Sequence, residues 1–351
     1  MGIVEYLTEA TRRGASDVFI MVGRPLAIKV KGILSELSEE RLKPSDTEAL
    51  IREIYDLDGQ RKIDRLYANG DDDFAFAIRG VSRFRVSAYK QRGTLAAVVR
   101  VITYHIPEPT DLGIGPEVLS LAEYSKGLVL VTGPAGSGKS TTLACIIDRN
   151  NETRQEHIIT LEDPIEYLHS HKKSIVSQRE VGSDTESYIS ALRAALRQSP
   201  DAILLGEMRD YETIQVAMTA AETGHLILST LHTIGAANTI DRIIDVFPPN
   251  QQHQIAVQLS MVLRAVVSQQ LVPTVDGGLV PVFERMTVNP AIRNMIRENK
   301  IHQIDGLVYS SNTGEMISMD NGLLKLYREG RITENTALLY ASNPEMLSKK
   351  L

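Results

Sequence analysis

Eight consecutive residues, Gly133, Pro134, Ala135, Gly136, Ser137, Gly138, Lys139 and Ser140, fit G-x-x-x-x-G-K-[ST] in full, with Thr141 next in line. A glycine-rich turn of this kind lets backbone N–H groups point inward around phosphate oxygens. A helix starting at its end adds partial positive charge. Lys139 is then placed for the β- and γ-phosphates, and the Ser140 hydroxyl for Mg²⁺. Residues 127–131 (GLVLV) ahead of the turn read as a short buried strand, and the residues after it as a helix. The expected ligand is a nucleoside triphosphate.

Further polar residues close later apolar runs. Residues 157–161 (HIITL) lead into Glu162, Asp163, Pro164, Ile165 and Glu166; residues 202–205 (AILL) into Gly206 and Glu207; residues 225–229 (HLILS) into Thr230, Leu231 and His232. Open parallel sheets bind ligands outside the carboxyl ends of their strands, so these residues are expected along one edge. Hydrolysis of a phosphoanhydride needs one group to orient the attacking water and another to help hold Mg²⁺. Glu166 and Glu207 are the candidates, with Ser140 and Glu207 the expected metal ligands. Asp163 before Pro164 reads equally well as a helix cap. His232 is placed to sense the γ-phosphate. His225 lies about 23 Å away if the stretch is extended, and reads as structural. His105, His157, His169, His171, His253 and His302 form no metal-ligand spacing.

Two textures of chain must position these groups. Up to about residue 104, β-type runs (DVFIMV, PLAIKVKG, DFAFAI, SRFRVSAYK, TLAAVVRVI) alternate with turns, with helices near 44–56 and 59–68. This predicts an antiparallel α+β domain over 1–104. Residues 105–117 hold three Pro and two Gly and read as a linker. From 118 to 351 the apolar runs alternate with helices at 139–151, 185–198 and 211–223, the pattern of a parallel sheet covered on both faces. Beyond Thr233 the chain reads as mostly helical; within 249–270, Ile255, Leu259, Val262, Leu263 and Val266 share one helical stripe.

Composition narrows the function. The 351 residues carry 38 Lys and Arg against 44 Asp and Glu, a formal charge of −6, with 5% aromatic residues and no Trp. That is neither the basic footprint nor the stacking surface of a nucleic-acid motor. The lone Cys145 excludes an intrachain disulfide and a multi-cysteine zinc module. No apolar run approaches a membrane span, and the first residues read as a short amphipathic helix rather than a secretion signal, so a cytoplasmic protein is expected. A P-loop small-molecule kinase would need a lid or substrate pocket that the chain's layout does not suggest.

The motifs occur in a familiar order. Gly133–Ser140, TLEDPIEY (160–167), GEMRD (206–210) and TGHLILSTLH (223–232) resemble the Walker A, Asp-box, Walker B and His-box motifs of secretion-superfamily traffic ATPases. Within these, AIRNMIRE (291–298) is similar to the AIRNLIRE motif of the PilT family of type IV pilus retraction ATPases, with Met295 in place of Leu. Unaided, that segment also reads as a helix with Ile292, Met295 and Ile296 on one face and Arg293 and Arg297 on another. The resemblance implies a RecA-like P-loop ATPase core, a PAS-like α+β N-terminal domain and a homohexameric ring. It further implies ATP and Mg²⁺ as cofactors, and work with an inner-membrane pilus platform protein and the pilus assembly machinery at the cytoplasmic face of that membrane. It assigns Mg²⁺ to Glu207, water polarisation to Glu166, and phosphate-neutralising roles to Arg85 and Arg100 of the N-terminal strands. Longer assembly and secretion relatives often carry a four-cysteine zinc element, which one Cys cannot build. An accessory retraction ATPase fits the same motifs, and VGSDT (181–185) departs from many retraction enzymes. Gly206 also departs from the Asp that P-loop proteins commonly place there.

Overall fold

The computed structural model describes residues 2–30, 32–59, 61–102, 106–311, 314 and 316–351. It divides into two compact units, one of residues 1–105 with 166–168 and one of residues 106–165 with 169–351. His105 and the end of the expected 1–104 domain lie outside the described residues.

The first unit opens with helix α1 (Ile3–Arg12), strands β1 (Asp17–Ile20), β2 (Ala27–Val30) and β3 (Ile33–Glu36), then helices α2 (Pro44–Asp58) and α3 (Asp64–Asn69). Strands β4 (Asp71–Ile78), β5 (Ser82–Gln91) and β6 (Thr94–Ile102) complete it. The strands form one antiparallel sheet in the order β3-β2-β1-β6-β5-β4. Alternation sets the faces: Phe84, Val86 and Ala88 of β5 are buried, while Arg83 and Arg85, which alternate with them, point the other way and are half-buried. Ile3, Leu7 and Ala10 of α1 and Ile51 and Ile54 of α2 close the core. The sequence reading misses β3, which is exposed at every position and shows no alternation to read.

The second unit is built on seven strands in the order β13-β12-β7-β11-β10-β8-β9. In chain order come α4 (Pro116–Leu119), β7 (Gly127–Thr132), α5 (Lys139–Thr153), β8 (His157–Glu162), β9 (Ile175–Glu180), α6 (Tyr188–Ala195), β10 (Ala202–Leu205), α7 (Tyr211–Glu222) and β11 (Leu226–Leu231). Then follow α8 (Ala236–Asp245), α9 (Pro249–Val262), β12 (Leu263–Pro273), β13 (Leu279–Thr287), α10 (Pro290–Arg297), α11 (Ile304–Ser310), α12 (Met319–Arg328), α13 (Glu334–Tyr340) and α14 (Pro344–Ser348). All neighbours pair in parallel except β12 with β13. Strand β7 is buried at every position, because both its faces are covered. Leu128 and Leu130 join Ile203, Ile227, Ile240 and Leu259 on one face, whereas Val129 and Val131 join Leu143, Ile147 and Leu228 on the other.

Three expectations differ from the structure. The helical stripe drawn through 249–270 stops at Val262, and Leu263 and Val266 belong to β12, which pairs with β13 inside a region after Thr233 that is otherwise mostly helical. The run Leu263–Pro273 is buried at nearly every position and rich in Val, and its pairing with β7 overrides the helical spacing. No helix follows Pro164, so Asp163 is not a cap; β8 runs instead into an irregular segment and then β9, which the sequence reading also missed. Residues 106–117, read as a linker, lie in the second unit, where Ile114 is buried and Ile106 and Leu112 pack beside it.

Candidate active site

The glycine-rich turn leaves β7 and enters α5, as its motif requires. Gly133 has φ 141°, and a Cβ there would lie 2.1 Å from the Gln269 carbonyl oxygen, so only glycine fits. Lys139 is buried, and its Nζ donates to the carbonyls of Gly133 and Pro134 at 2.9 Å each, arching its chain back along the loop. The first N–H groups of a helix have no partner inside it. Those of α5 start at Lys139, since the Thr142 N–H is already bonded to the Gly138 carbonyl at 3.0 Å. Ser137 Oγ and Thr132 Oγ1 are buried without a hydrogen-bond partner. Unpartnered polar groups around a lysine fit a phosphate chain, which would satisfy them.

Sequence reasoning missed the residue that braces this loop. Gln269 of β12 is buried; its Nε2 donates to the Ser137 carbonyl at 2.7 Å and its Oε1 accepts from Thr142 Oγ1 at 2.7 Å. Two adjacent glutamines inside a mainly apolar strand were the available signal. Beside the loop lies a cavity of about 270 Å³ reached by Gly138, Thr141 and Thr142. Leu112, Ile114, Val280 and Pro281 give it an apolar lining, and Asp111 and Arg331 also line it.

The carboxyl ends of the neighbouring strands gather charge. Glu207 follows β10 with its side chain 15% exposed; its Oε1 is 2.6 Å from Arg209 Nε and its Oε2 is 3.6 Å from His232 Nε2. His232 follows β11, its side chain is more than half exposed, and the two expected site residues are thus brought together. Glu162 Oε1 accepts from Thr160 Oγ1 at 2.6 Å and from Gln178 Nε2 at 3.3 Å. Tyr188, at the start of α6, was also missed: burial, with Glu207, Asp163 and Glu162 nearby, pushes its phenol pKa up and keeps it protonated. His225 sits at the opposite end of β11, its Nδ1 3.0 Å from the Ala220 carbonyl, which suits a structural role.

Three expected residues belong to the first unit. Glu166 is exposed and groups with it. Arg85 and Arg100 face each other across β5 and β6 in register, and Arg100 Nε is 3.2 Å from Asp17 Oδ1. Among the described residues, no three His, Cys, Asp or Glu side chains form a metal cage, and no helix is long and apolar enough to cross a membrane.

Residues 2–342 match the family described as "Type II/IV secretion system protein". The chain is 44% identical over 345 residues to the "Type IV pilus retractation ATPase PilT" of Pseudomonas aeruginosa, covering 98% of this chain and 99% of that protein. It is 41% identical to the "Type IV pilus ATPase PilU" of the same organism over 94% of this chain and 86% of the relative. Among solved structures, that of the pilus retraction motor PilT with bound ADP superposes with a TM-score of 0.90 at 47% identity, covering 99% of each chain. The fold is accordingly a RecA-like α/β core with an α+β unit ahead of it.

Proposed function

Because this chain belongs to the type II/IV secretion system protein family, we propose that it is an ATP-hydrolysing motor that powers type IV pilus retraction. The observation that carries this reading is the near-complete superposition on a retraction motor holding ADP, with the phosphate loop intact. The protein hydrolyses ATP and works with pilus machinery. In our reading it does so as a homohexamer against an inner-membrane platform protein at the cytoplasmic face, and takes no nucleic acid.

Roles follow from the groups present. The N–H groups of the loop and of the first turn of α5 take the phosphate oxygens, and Lys139 exchanges its two carbonyl partners for the β- and γ-phosphates. The apolar slot lined by Leu112, Ile114 and Val280 takes the nucleobase. Ser140 on α5 and the Glu207 carboxylate hold Mg²⁺, an ion that keeps several waters and needs few protein ligands. When bound, Mg²⁺ neutralises charge on the transferring phosphoryl group. Glu166 orients the attacking water, and His232 reports the γ-phosphate to Glu207, its neighbour at 3.6 Å. Arg85 and Arg100, opposite each other on β5 and β6, neutralise the γ-phosphate in this reading. A guanidinium on the γ-phosphate is worth about 10³–10⁵ in rate where such fingers operate.

The test is ATP turnover by the full chain and pilus retraction in a strain lacking its own motor. Wild type should turn over Mg·ATP, with no stimulation by DNA, and restore retraction, whereas Lys139→Ala should do neither while keeping its fold. Turnover by Lys139→Ala within twofold of wild type would remove the site assignment. An active wild type that leaves pili extended would remove the motor reading.

A further inference from the structure

The glycine at the Walker B position has a physical cause. A Cβ on Gly206 would lie 2.7 Å from Tyr188 Oη, 3.3 Å from the Leu161 carbonyl oxygen and 3.5 Å from Glu162 Cα. The first separation is shorter than carbon and oxygen tolerate, so any side chain at 206 must displace the tyrosine. The backbone cannot yield instead. The Gly206 N–H donates to the Leu161 carbonyl at 2.8 Å, and the Gly206 carbonyl accepts from Thr230 Oγ1 at 2.6 Å, pinning the residue between β8 and β11. Tyr188 is fixed as well. It follows the N-cap Ser187, whose side chain accepts from the Ser190 N–H, and its ring packs on the core beneath α6.

The space that a Walker B carboxylate would use is therefore filled by a phenol from another element. Its charged neighbours are acidic, Glu162, Asp163 and Glu207. A neutral O–H has a proton to give to a carboxylate or to water held by one, which a second carboxylate in that place lacks. Resting on the ATPase reading above, we propose that Tyr188 is a positioning residue for hydrolysis, its hydroxyl standing where P-loop proteins commonly place an aspartate and orienting Glu207. Gly206 and Tyr188 then form one device: the glycine exists to admit the hydroxyl.

Three full-chain variants test this. Tyr188→Phe keeps the ring and removes only the donor; it should melt as wild type and keep the KM for ATP within twofold. Its kcat should fall about tenfold, the effect of one hydrogen bond to a charged group. Gly206→Ala should lower both the melting temperature and kcat, since its methyl group meets the hydroxyl. Gly206→Ala with Tyr188→Phe should recover the melting temperature, because the 2.7 Å contact disappears, but not kcat. A Tyr188→Phe kcat within twofold of an active wild type overturns the positioning role. Gly206→Ala melting as wild type overturns the close approach. A wild-type chain with no turnover overturns the ATPase reading along with this one.

Discussion

Replacing Gln269 with Leu removes the brace between β12 and the phosphate loop while keeping the side chain's bulk. Two buried groups lose their partners, the Ser137 carbonyl and the Thr142 hydroxyl, each now bonded at 2.7 Å. A buried polar group left unpaired costs roughly 1–3 kcal/mol. The Thr142 hydroxyl can turn back to a carbonyl of its own helix, so the sum falls near 3 kcal/mol, or roughly 6–12 °C in melting temperature for a unit of this size. Nucleotide affinity should fall too, because a loop no longer held in shape must be ordered by its ligand. The neighbouring Gln270→Leu is the control: its Nε2 reaches only the Tyr340 carbonyl, at 3.3 Å, away from the loop. Urea unfolding and titration with a fluorescent ADP analogue read the two effects. If Gln269→Leu and Gln270→Leu lose equal stability and bind nucleotide equally, the bracing argument is wrong.

Other perturbations separate the proposed roles. Glu207→Gln should weaken the Mg²⁺ dependence of turnover as well as its rate, whereas Glu166→Gln should bind Mg·ATP normally and fail to cleave it; superimposable Mg²⁺ titrations would refute that division. Arg100→Ala should melt as wild type, since its pair with Asp17 is 67% exposed at the arginine, yet hydrolyse ATP at least tenfold more slowly; an unchanged rate would leave Arg100 a surface residue. Burial holds the His169 imidazole neutral with a pKa of about 4, against 6.5 for the ordinary group. The unfolded chain therefore takes up this proton first, and stability drops as pH falls from about 6.5 towards 4, by about 3 kcal/mol in all. Urea unfolding at several pH values should show a shallower acid slope for His169→Gln, and equal slopes would sink the assignment.

The features legible in the sequence are those whose causes are local. The phosphate loop is a contiguous motif, and β7, β8, β10 and β11 are apolar runs that both faces of the sheet bury. What the sequence hid depends on pairing between distant residues. The spacing of Ile255, Leu259 and Val262 continues by chance into Leu263 and Val266, and only the partnership of β12 with β7, far earlier in the chain, decides that the helix stops. Gly206 stood out as a departure, but its reason sits on α6, and nothing near residue 188 announces that its hydroxyl reaches the end of β10. Gln269 belongs with these: a buried glutamine reads as an anomaly until the loop it holds is beside it.

The same strand explains how the nucleotide site is joined to the rest of its unit. Consecutive residues of a strand point to opposite faces, and β12 uses both. Gln269 faces α5 and the phosphate loop, whereas Ser268 Oγ accepts from the Gly235 N–H at 2.9 Å, just after His232 and at the start of α8. Opposite on β13, the buried Glu284 accepts from the Ala236 N–H at 2.8 Å and the Met319 N–H at 3.4 Å, tying the N-termini of α8 and α12 together. Burial pushes its carboxyl pKa up, and the two N–H groups oppose that rise. Two strands thus link the phosphate loop, the segment after His232 and the C-terminal helices through these hydrogen bonds, beside the apolar packing of β13 on α12. A strand cannot slip by one residue without turning every side chain to the wrong face, so the pairing of β12 with β13 fixes Gln269, Ser268 and Glu284 relative to one another. The phosphate loop and the N-termini of α8 and α12 are thus held by one hairpin.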